Sequence, residues 1–248
     1  MPVKLEIRPI PAAHNQALRG RLLVWALAAL CSASAVLSIA AAQAPPAPSA
    51  RFVVVLDAAH GGDDFGGRLN GEAEKNFTLA LSVRLRSLLA ARGMQVVTTR
   101  ESDTTIDLNR RAELANHANA QACLSLHATE SGFGAHLFVS SLAPAQPARF
   151  AAWKTAQAAW VTRSLALAGT LNSALLHAVM TVSLARTALP AVDSMTCPAV
   201  VVEIAPESAQ ARDSGQQNQG TLDDPGYQAR VAEALAAALL EWRTEGRP

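Results

Sequence analysis

From Arg51 onward the apolar positions switch repeatedly between an unbroken or alternating spacing and a helical one, and each switch marks an element. Phe52 to Leu56 is a continuous apolar run of the kind a parallel strand shows when both of its faces are buried. His60 to Gly71 is rich in Gly and Asp and reads as a loop. A helix starts near Lys75: Phe77, Leu81, Leu85 and Leu88 recur at helical spacing, and Arg92-Gly93 closes it. Gln95 to Thr99 is a short strand, and Asp107 can cap a second helix with Leu108, Ala112 and Ala115 on one face. Ala120 to Leu126 and Gly134 to Ser140 are further strands, with a loop at Pro144 to Pro147. Phe150, Trp153, Gln157, Trp160 and Val161 predict a helical stretch that continues through Leu165, Ala168, Leu171, Leu175 and Ala178. Pro190-Ala191-Val192 and Ala199 to Ile204 return to the sheet. A polar loop then leads through Gly220 to a last helix carrying Val231, Leu235, Ala238, Leu239 and Trp242. Strands alternating with helices predict an α/β fold, a single domain over residues 51–245 with a largely parallel sheet flanked by helices.

Composition narrows the picture. Half of the 248 residues are apolar, so one substantial core is possible and a second large domain is not required. A net charge of +1 with one Tyr and six Phe argues against a nucleic-acid binder, which would carry a basic face. Residues 1–50 stand apart from that core. Arg19-Gly20-Arg21 precedes an almost uncharged stretch from Leu22 to about Ala44, followed by Pro45-Pro46-Ala47-Pro48. A basic flank, an apolar stretch and small residues such as Ala40-Ala41-Ala42 describe an export signal followed by a Pro/Ala linker. The stretch is also long enough to cross a bilayer, so an uncleaved N-terminal membrane anchor is the competing expectation. In either case residues from about Pro45 onward are exported. Cys31 follows Leu30 inside this segment, which argues against lipid attachment. Cys123 and Cys197 are expected foremost as two buried free thiols, with pairing in an oxidising compartment as the alternative.

Four polar residues carry the chemistry: His60, Glu74, His127 and Glu203. Three of them close an apolar run, so their side chains are aimed at the crevice outside the carboxyl ends of strands, where open α/β sheets bind ligands. Imidazole and carboxylate are both zinc ligands, and a catalytic zinc keeps one position open for water. His60, Glu74 and His127 would supply a set of three, and Glu203 would accept a proton from water and pass it to a leaving amine. Taken singly, Glu74 can be a helix-start charge and His60 a turn residue. An ionisable group directly after an apolar strand is costly unless paired or liganded, which favours function for His127 and Glu203. The joint occurrence of all four is the stronger sign.

With those residues in place, the chain resembles the zinc-dependent N-acetylmuramoyl-L-alanine amidases that split bacterial cell walls. The resemblance runs from about Phe52 to Trp242. It includes Val55-Leu56-Asp57 before His60-Gly61-Gly62, then Glu74-Lys75-Asn76 with Leu79-Ala80, Thr99-Arg100, Asp103, Leu108, Arg111 and Ala115-Asn116. Ser125-Leu126-His127-Ala128 and Pro198-Ala199-Val200-Val201-Val202-Glu203 complete it. The resemblance implies a twisted mixed sheet flanked by helices, zinc ligands at His60, Glu74 and His127, and a catalytic glutamate at Glu203. It implies peptidoglycan as substrate, cleaved at the amide between the lactyl group of N-acetylmuramic acid and L-alanine, in the periplasm or cell envelope. Arg100, Asp103 and Arg111 are expected to brace loops. The chain departs from the family text at Ala58-Ala59, Phe65, Thr129 and Ile204-Ala205-Pro206-Glu207, none of which is an implied ligand.

Some relatives cover the zinc with a helix that a partner moves, which makes an activator protein a candidate partner. Here Gly132 to Val192 contains no Asp or Glu, so a carboxylate-bearing plug from that segment is excluded, whereas a steric lid around Ala151 to Val161 is not. Trp153 and Trp160 are expected in the core. Arg149, Lys154, Arg163 and Arg186 read as scattered surface charge. His117, His136 and His177 match no motif and are set aside. The alternative from another class is a catalytically weak homologue that binds cell wall or regulates another hydrolase. A third reading is zinc hydrolysis of a different exported amide.

Overall fold

A computed structural model describes residues 51–146, 152–207 and 220–245. The export segment and Arg149 lie outside the described residues. The strands are β1 (Val53–Ala58), β2 (Arg68–Leu69), β3 (Glu72–Ala73), β4 (Gln95–Thr98), β5 (Ala122–Ala128), β6 (Ala135–Ser140), β7 (Val182–Thr187) and β8 (Ala199–Ile204). The helices are α1 (Glu74–Ala91), α2 (Leu108–His117), α3 (Val161–His177) and α4 (Pro225–Glu245), with a 3-10 segment at Trp153–Ala159. Six strands form one sheet in the order β4-β1-β5-β8-β6-β7. The first four run parallel, β6 is antiparallel to β8, and β7 is parallel to β6. The fold is therefore α/β with a largely parallel mixed sheet, as the alternation of spacings predicts.

Strand alternation divides the sheet into two unequal faces. Val54, Leu56, Leu124, Leu126, Leu137, Val200 and Val202 join α1, α3 and α4 in the larger core cluster. Val55, Cys123 and Val201 face the other way, against Ala112 and Ala115 of α2 and against Val192, Met195 and Cys197. This thinner face is where the polar residues of the strands emerge. Asp57, Ser125, His127 and Glu203 share the parity of Val55, Cys123 and Val201. Two helix starts are capped as their sequences demand. Asp107 accepts from Arg110 N, and Asp224, just before Pro225, accepts from Gly226 N at 2.8 Å and from Gly220 N at 2.9 Å.

Several expectations are corrected. The helix expected from Phe150 to Ala178 is broken: Thr155 has φ −129° and ψ 18°, and regular α-helix begins only at Val161. The break has a polar cause, because the buried Gln157 amide donates to the carbonyls of Met195 and Cys197 and accepts from Ser164. Trp153 is 42 % exposed and lies outside the core. Pro190-Ala191-Val192 forms a turn closed by Asp193 N donating to the Leu189 carbonyl, not a strand. The strand at this side of the sheet is β7, which is exposed along most of its length and so lacks the apolar signature of a buried strand. Leu108 is 52 % exposed although Ala112 and Ala115 are buried as expected. The two cysteines expected as free thiols form a disulfide, Cys123–Cys197, with Cα atoms 6.3 Å apart. The pairing follows from topology: Cys123 registers with Ala199, the first residue of β8, and Cys197 lies two residues before it, in the same core cluster.

Candidate metal centre

The site begins with the turn after β1. His60 takes a left-handed φ of 62° and is followed by Gly61 and Gly62 with φ 127° and 58°. Such a turn needs external support, and two buried arginines provide it. Arg111 donates to the carbonyls of Ala58, His60 and Ile106 and pairs with Asp57 at 2.7 Å. Arg100 donates to the carbonyls of Ala58, Ala59, Lys75 and Ser102. Asp57 also accepts from Thr99 and Ser125, so one buried carboxylate ties β1, β5 and α2 together under the turn. Asp103 accepts from Gly62 N and Lys75 Nζ. The bracing role expected for Arg100, Asp103 and Arg111 is what these contacts provide.

The turn brings His60 beside Glu74, the first residue of α1, and Glu74 lies beside His127 of β5. His60 Nε2 is 3.1 Å from Glu74 Oε2, and His127 Nδ1 is 3.0 Å from Glu74 Oε1. The two imidazoles meet edge to face with centroids 5.2 Å apart. One donor atom from each of His60, Glu74 and His127 falls within 4.8 Å of the others, close enough to hold a metal ion. Glu74 is buried, and its oxygens also accept from Gly67 N at 2.8 Å and Ala128 N at 3.0 Å. Burial alone would push its carboxyl up. The hydrogen bonds with His127 and His60 and the two backbone amides outweigh that and hold it well below the usual carboxylate range. Glu74 is thus an anion that has lost most of its water, held between a ring nitrogen of each histidine.

Asp64 was not recognised from sequence as part of this site. Its carboxylate lies 2.9 Å from His60 Nδ1 and accepts from that nitrogen, which fixes the ring with Nε2 turned to Glu74. Hydrogen bonding to Glu74 raises His60 above its ordinary value, against the effect of burial, and Asp64 adds to the rise. The signal in the sequence is an acid four residues after a histidine across a glycine turn. Gly66 closes the same loop. With φ at 67°, a β-carbon there would lie 2.5 Å from His60 Cδ2 and 2.7 Å from Glu74 Oε2.

Glu203 projects from β8 directly opposite His127 in the strand register. Both line a groove of about 340 Å³ whose walls include Leu108, Phe138, Leu189, Pro190 and Val192. The structure therefore brings all four sequence-chosen residues to one end of the sheet. It also brings a fifth that motif reading set aside: His136 of β6 has Nδ1 3.0 Å from Glu203 Oε2.

An α/β sheet with a His-Glu-His cluster at its strand ends is a scaffold with a candidate metal site. Residues 54–241 match the N-acetylmuramoyl-L-alanine amidase family, and the chain belongs to that family. It is 45% identical over 78 residues to the N-acetylmuramoyl-L-alanine amidase AmiA of Escherichia coli, covering 31% of this chain and 27% of AmiA. The chain thus spans about a quarter of the length of that curated relative. The catalytic domain of CwlV, an N-acetylmuramoyl-L-alanine amidase of Paenibacillus polymyxa, shares the fold with a TM-score of 0.59 at 24% identity, over 78% of this chain and 98% of that domain. The CwlD amidase of Clostridioides difficile, solved in complex with the GerS lipoprotein, does so with a TM-score of 0.59 at 20% identity, over 79% and 100% of the two chains. Among the described residues, no helix is long and apolar enough to cross a membrane.

Proposed function

We propose that this chain hydrolyses the amide bond between the N-acetylmuramoyl lactyl group and L-alanine in peptidoglycan, using zinc held by His60, Glu74 and His127. The observation that carries the reading is the convergence of those three donor sets within 4.8 Å at the strand ends of a family member. The donor chemistry fits zinc: two imidazoles, one with its second nitrogen fixed by Asp64, and one carboxylate already stripped of solvent. Zinc bound there supplies Lewis acidity toward a carbonyl and brings the pKa of a bound water to about 7. The chain's own residues do the rest. Glu203 takes a proton from the attacking water at its carboxylate and returns it to the departing amine nitrogen of L-alanine. Apolar walls at Leu108, Phe138 and Leu189 flank the groove beside it and offer contact to substrate.

Residues 51–245 are the catalytic domain in this reading, and residues 1–50 direct or anchor it outside the cytoplasm. The Cys123–Cys197 disulfide supports an exported location, because such bonds persist in oxidising compartments. The periplasm or cell envelope, where peptidoglycan lies, is the expected site of action. The lipoprotein bound to CwlD makes an accessory protein a candidate partner by analogy.

The test is to count zinc in the purified protein and digest peptidoglycan with wild type and Glu203→Gln. Release of stem peptides beginning with L-alanine, lost in a variant that still holds zinc, is the expected result. A wild-type protein that retains zinc and releases nothing would favour a wall-binding or regulatory homologue. Full activity in Glu203→Gln would remove the proton-transfer role.

A further inference from the structure

His136 stands in a position that its sequence context does not advertise. The parallel pairing of β5 with β8 and the antiparallel pairing of β8 with β6 set His127, Glu203 and His136 abreast in one row across three neighbouring strands. Glu203 is the middle member, flanked by a metal-ligand candidate on one side and by a second imidazole on the other. The second imidazole is engaged: Nδ1 lies 3.0 Å from Glu203 Oε2, and a carboxylate oxygen can only accept, so Nδ1–H donates. Among the described residues, Glu203 Oε1 makes no hydrogen bond.

The far edge of the ring lies close to the backbone of Gly132. Gly132, in the loop between β5 and β6, has φ 75°, and a β-carbon there would lie 2.7 Å from His136 Cε1 and 2.8 Å from Nε2. A side chain there would have to displace the imidazole and would be strained at this positive φ. Side-chain exposures of 19% for His136 and 29% for Glu203 set the pair apart from an ordinary surface contact. A glutamate has three torsions to fix, and proton transfer demands a set distance and angle, so a carboxylate held at one oxygen is better placed than a free one.

We infer that His136 is a positioning residue for Glu203, holding Oε2 so that Oε1 is turned to the groove beside His127. The inference rests on the reading of Glu203 as the proton carrier. His136 touches neither the metal-ligand candidates nor the reacting atoms in this account and acts only through the carboxylate.

The experiment compares His136→Ala, His136→Asn and Gly132→Ala in the full-length, zinc-loaded protein. Asparagine is the conservative variant, because its amide nitrogen can take the place of Nδ1. His136→Ala and Gly132→Ala are expected to lower kcat by about ten- to a hundredfold with KM and zinc content unchanged. His136→Asn should restore the rate to within a few fold, and His136→Ala should add no further loss in a Glu203→Gln background. A wild-type kcat in His136→Ala, equal losses in the Ala and Asn variants, or a further loss on top of Glu203→Gln would overturn the inference. A second readout does not depend on turnover. Long-range proton–nitrogen spectra of the imidazoles should find His136 protonated at Nδ1 and shifted by Glu203→Gln, with His117 and His177 unmoved. Protonation of His136 at Nε2 alone, or no response to Glu203→Gln, would overturn the contact whatever the activity. A zinc-loaded wild type that cleaves no peptidoglycan would instead overturn the amidase reading, and the spectra would then decide the contact separately.

Discussion

Replacing Arg111 with methionine tests whether the metal centre depends on the arginine beneath it. The guanidinium and Asp57 are 4% and 3% exposed, and the pair is 2.7 Å apart. The same side chain donates to the carbonyls of Ala58, His60 and Ile106. Methionine keeps much of the volume but leaves the Asp57 carboxylate with only Thr99 and Ser125 as donors. Removing one member of a buried ion pair costs about 3–5 kcal/mol. In a domain of this size each kcal/mol lowers Tm by about 2–4 °C, so the expected fall is about 6–20 °C. Because Arg111 also holds the His60 carbonyl, zinc affinity should drop by about 10–100-fold, the usual cost of losing a residue that orients a ligand. Calorimetry on the metal-free protein reads the first effect, and competition against a zinc chelator reads the second. A Tm within about 2 °C of wild type would refute the claimed burial energetics. A lowered Tm with unchanged zinc affinity would sever the link between the arginine and the His60 turn.

Three further outcomes are expected. Gly66→Ala should lower zinc affinity by at least about tenfold, since the added carbon has no room beside His60 and Glu74 at a positive φ; wild-type affinity in a chelator competition would contradict the packing. Cys123→Ser with Cys197→Ser removes a crosslink across 74 residues and should cost about 4 kcal/mol in denaturant unfolding, while a cost under about 1 kcal/mol would mean that the unfolded chain is not constrained by it. Asp224→Ala should cost about 1 kcal/mol by uncapping α4. The Gly220 amide does most to hold Asp224 below its ordinary value; burial opposes it, and the amides of Gly226 and Tyr227 add to the lowering. A depressed carboxylate stabilises the fold above its unfolded pKa of about 3.9 and loses that contribution as pH falls through the lower folded value. The stability gap between wild type and Asp224→Ala should therefore close on acidification below about pH 4, and a gap independent of pH would exclude the cap.

The four principal residues could be read from the sequence because each sits at a change of pattern. His127 and Glu203 interrupt apolar strands, His60 precedes two glycines, and Glu74 opens a helix. The residues that hold them were harder to see. Asp64 lies in a Gly- and Asp-rich loop where an acid is ordinary, and only the left-handed turn at His60 brings it to the imidazole. His136 depends on β6 running antiparallel to β8, a pairing direction that hydrophobic spacing does not encode. β7 is silent in the sequence because a strand exposed along most of its length shows no buried stripe, and the apolar spacing around Trp153 does not register the Gln157 hydrogen bonds to the carbonyls of Met195 and Cys197. The disulfide needed the adjacency of β5 and β8, which is a property of strand order.

That disulfide has a consequence for how errors in assembly are avoided. A one-residue slip between two strands turns every side chain to the opposite face, and here it would carry Glu203 away from His127 into the core beneath α3 and α4. Cys123 lies four residues before His127 on β5, and Cys197 lies six before Glu203, just ahead of β8. Once the sulfurs are joined, the alignment of the two functional side chains is written into covalent bonds, and the slipped pairing can no longer compete.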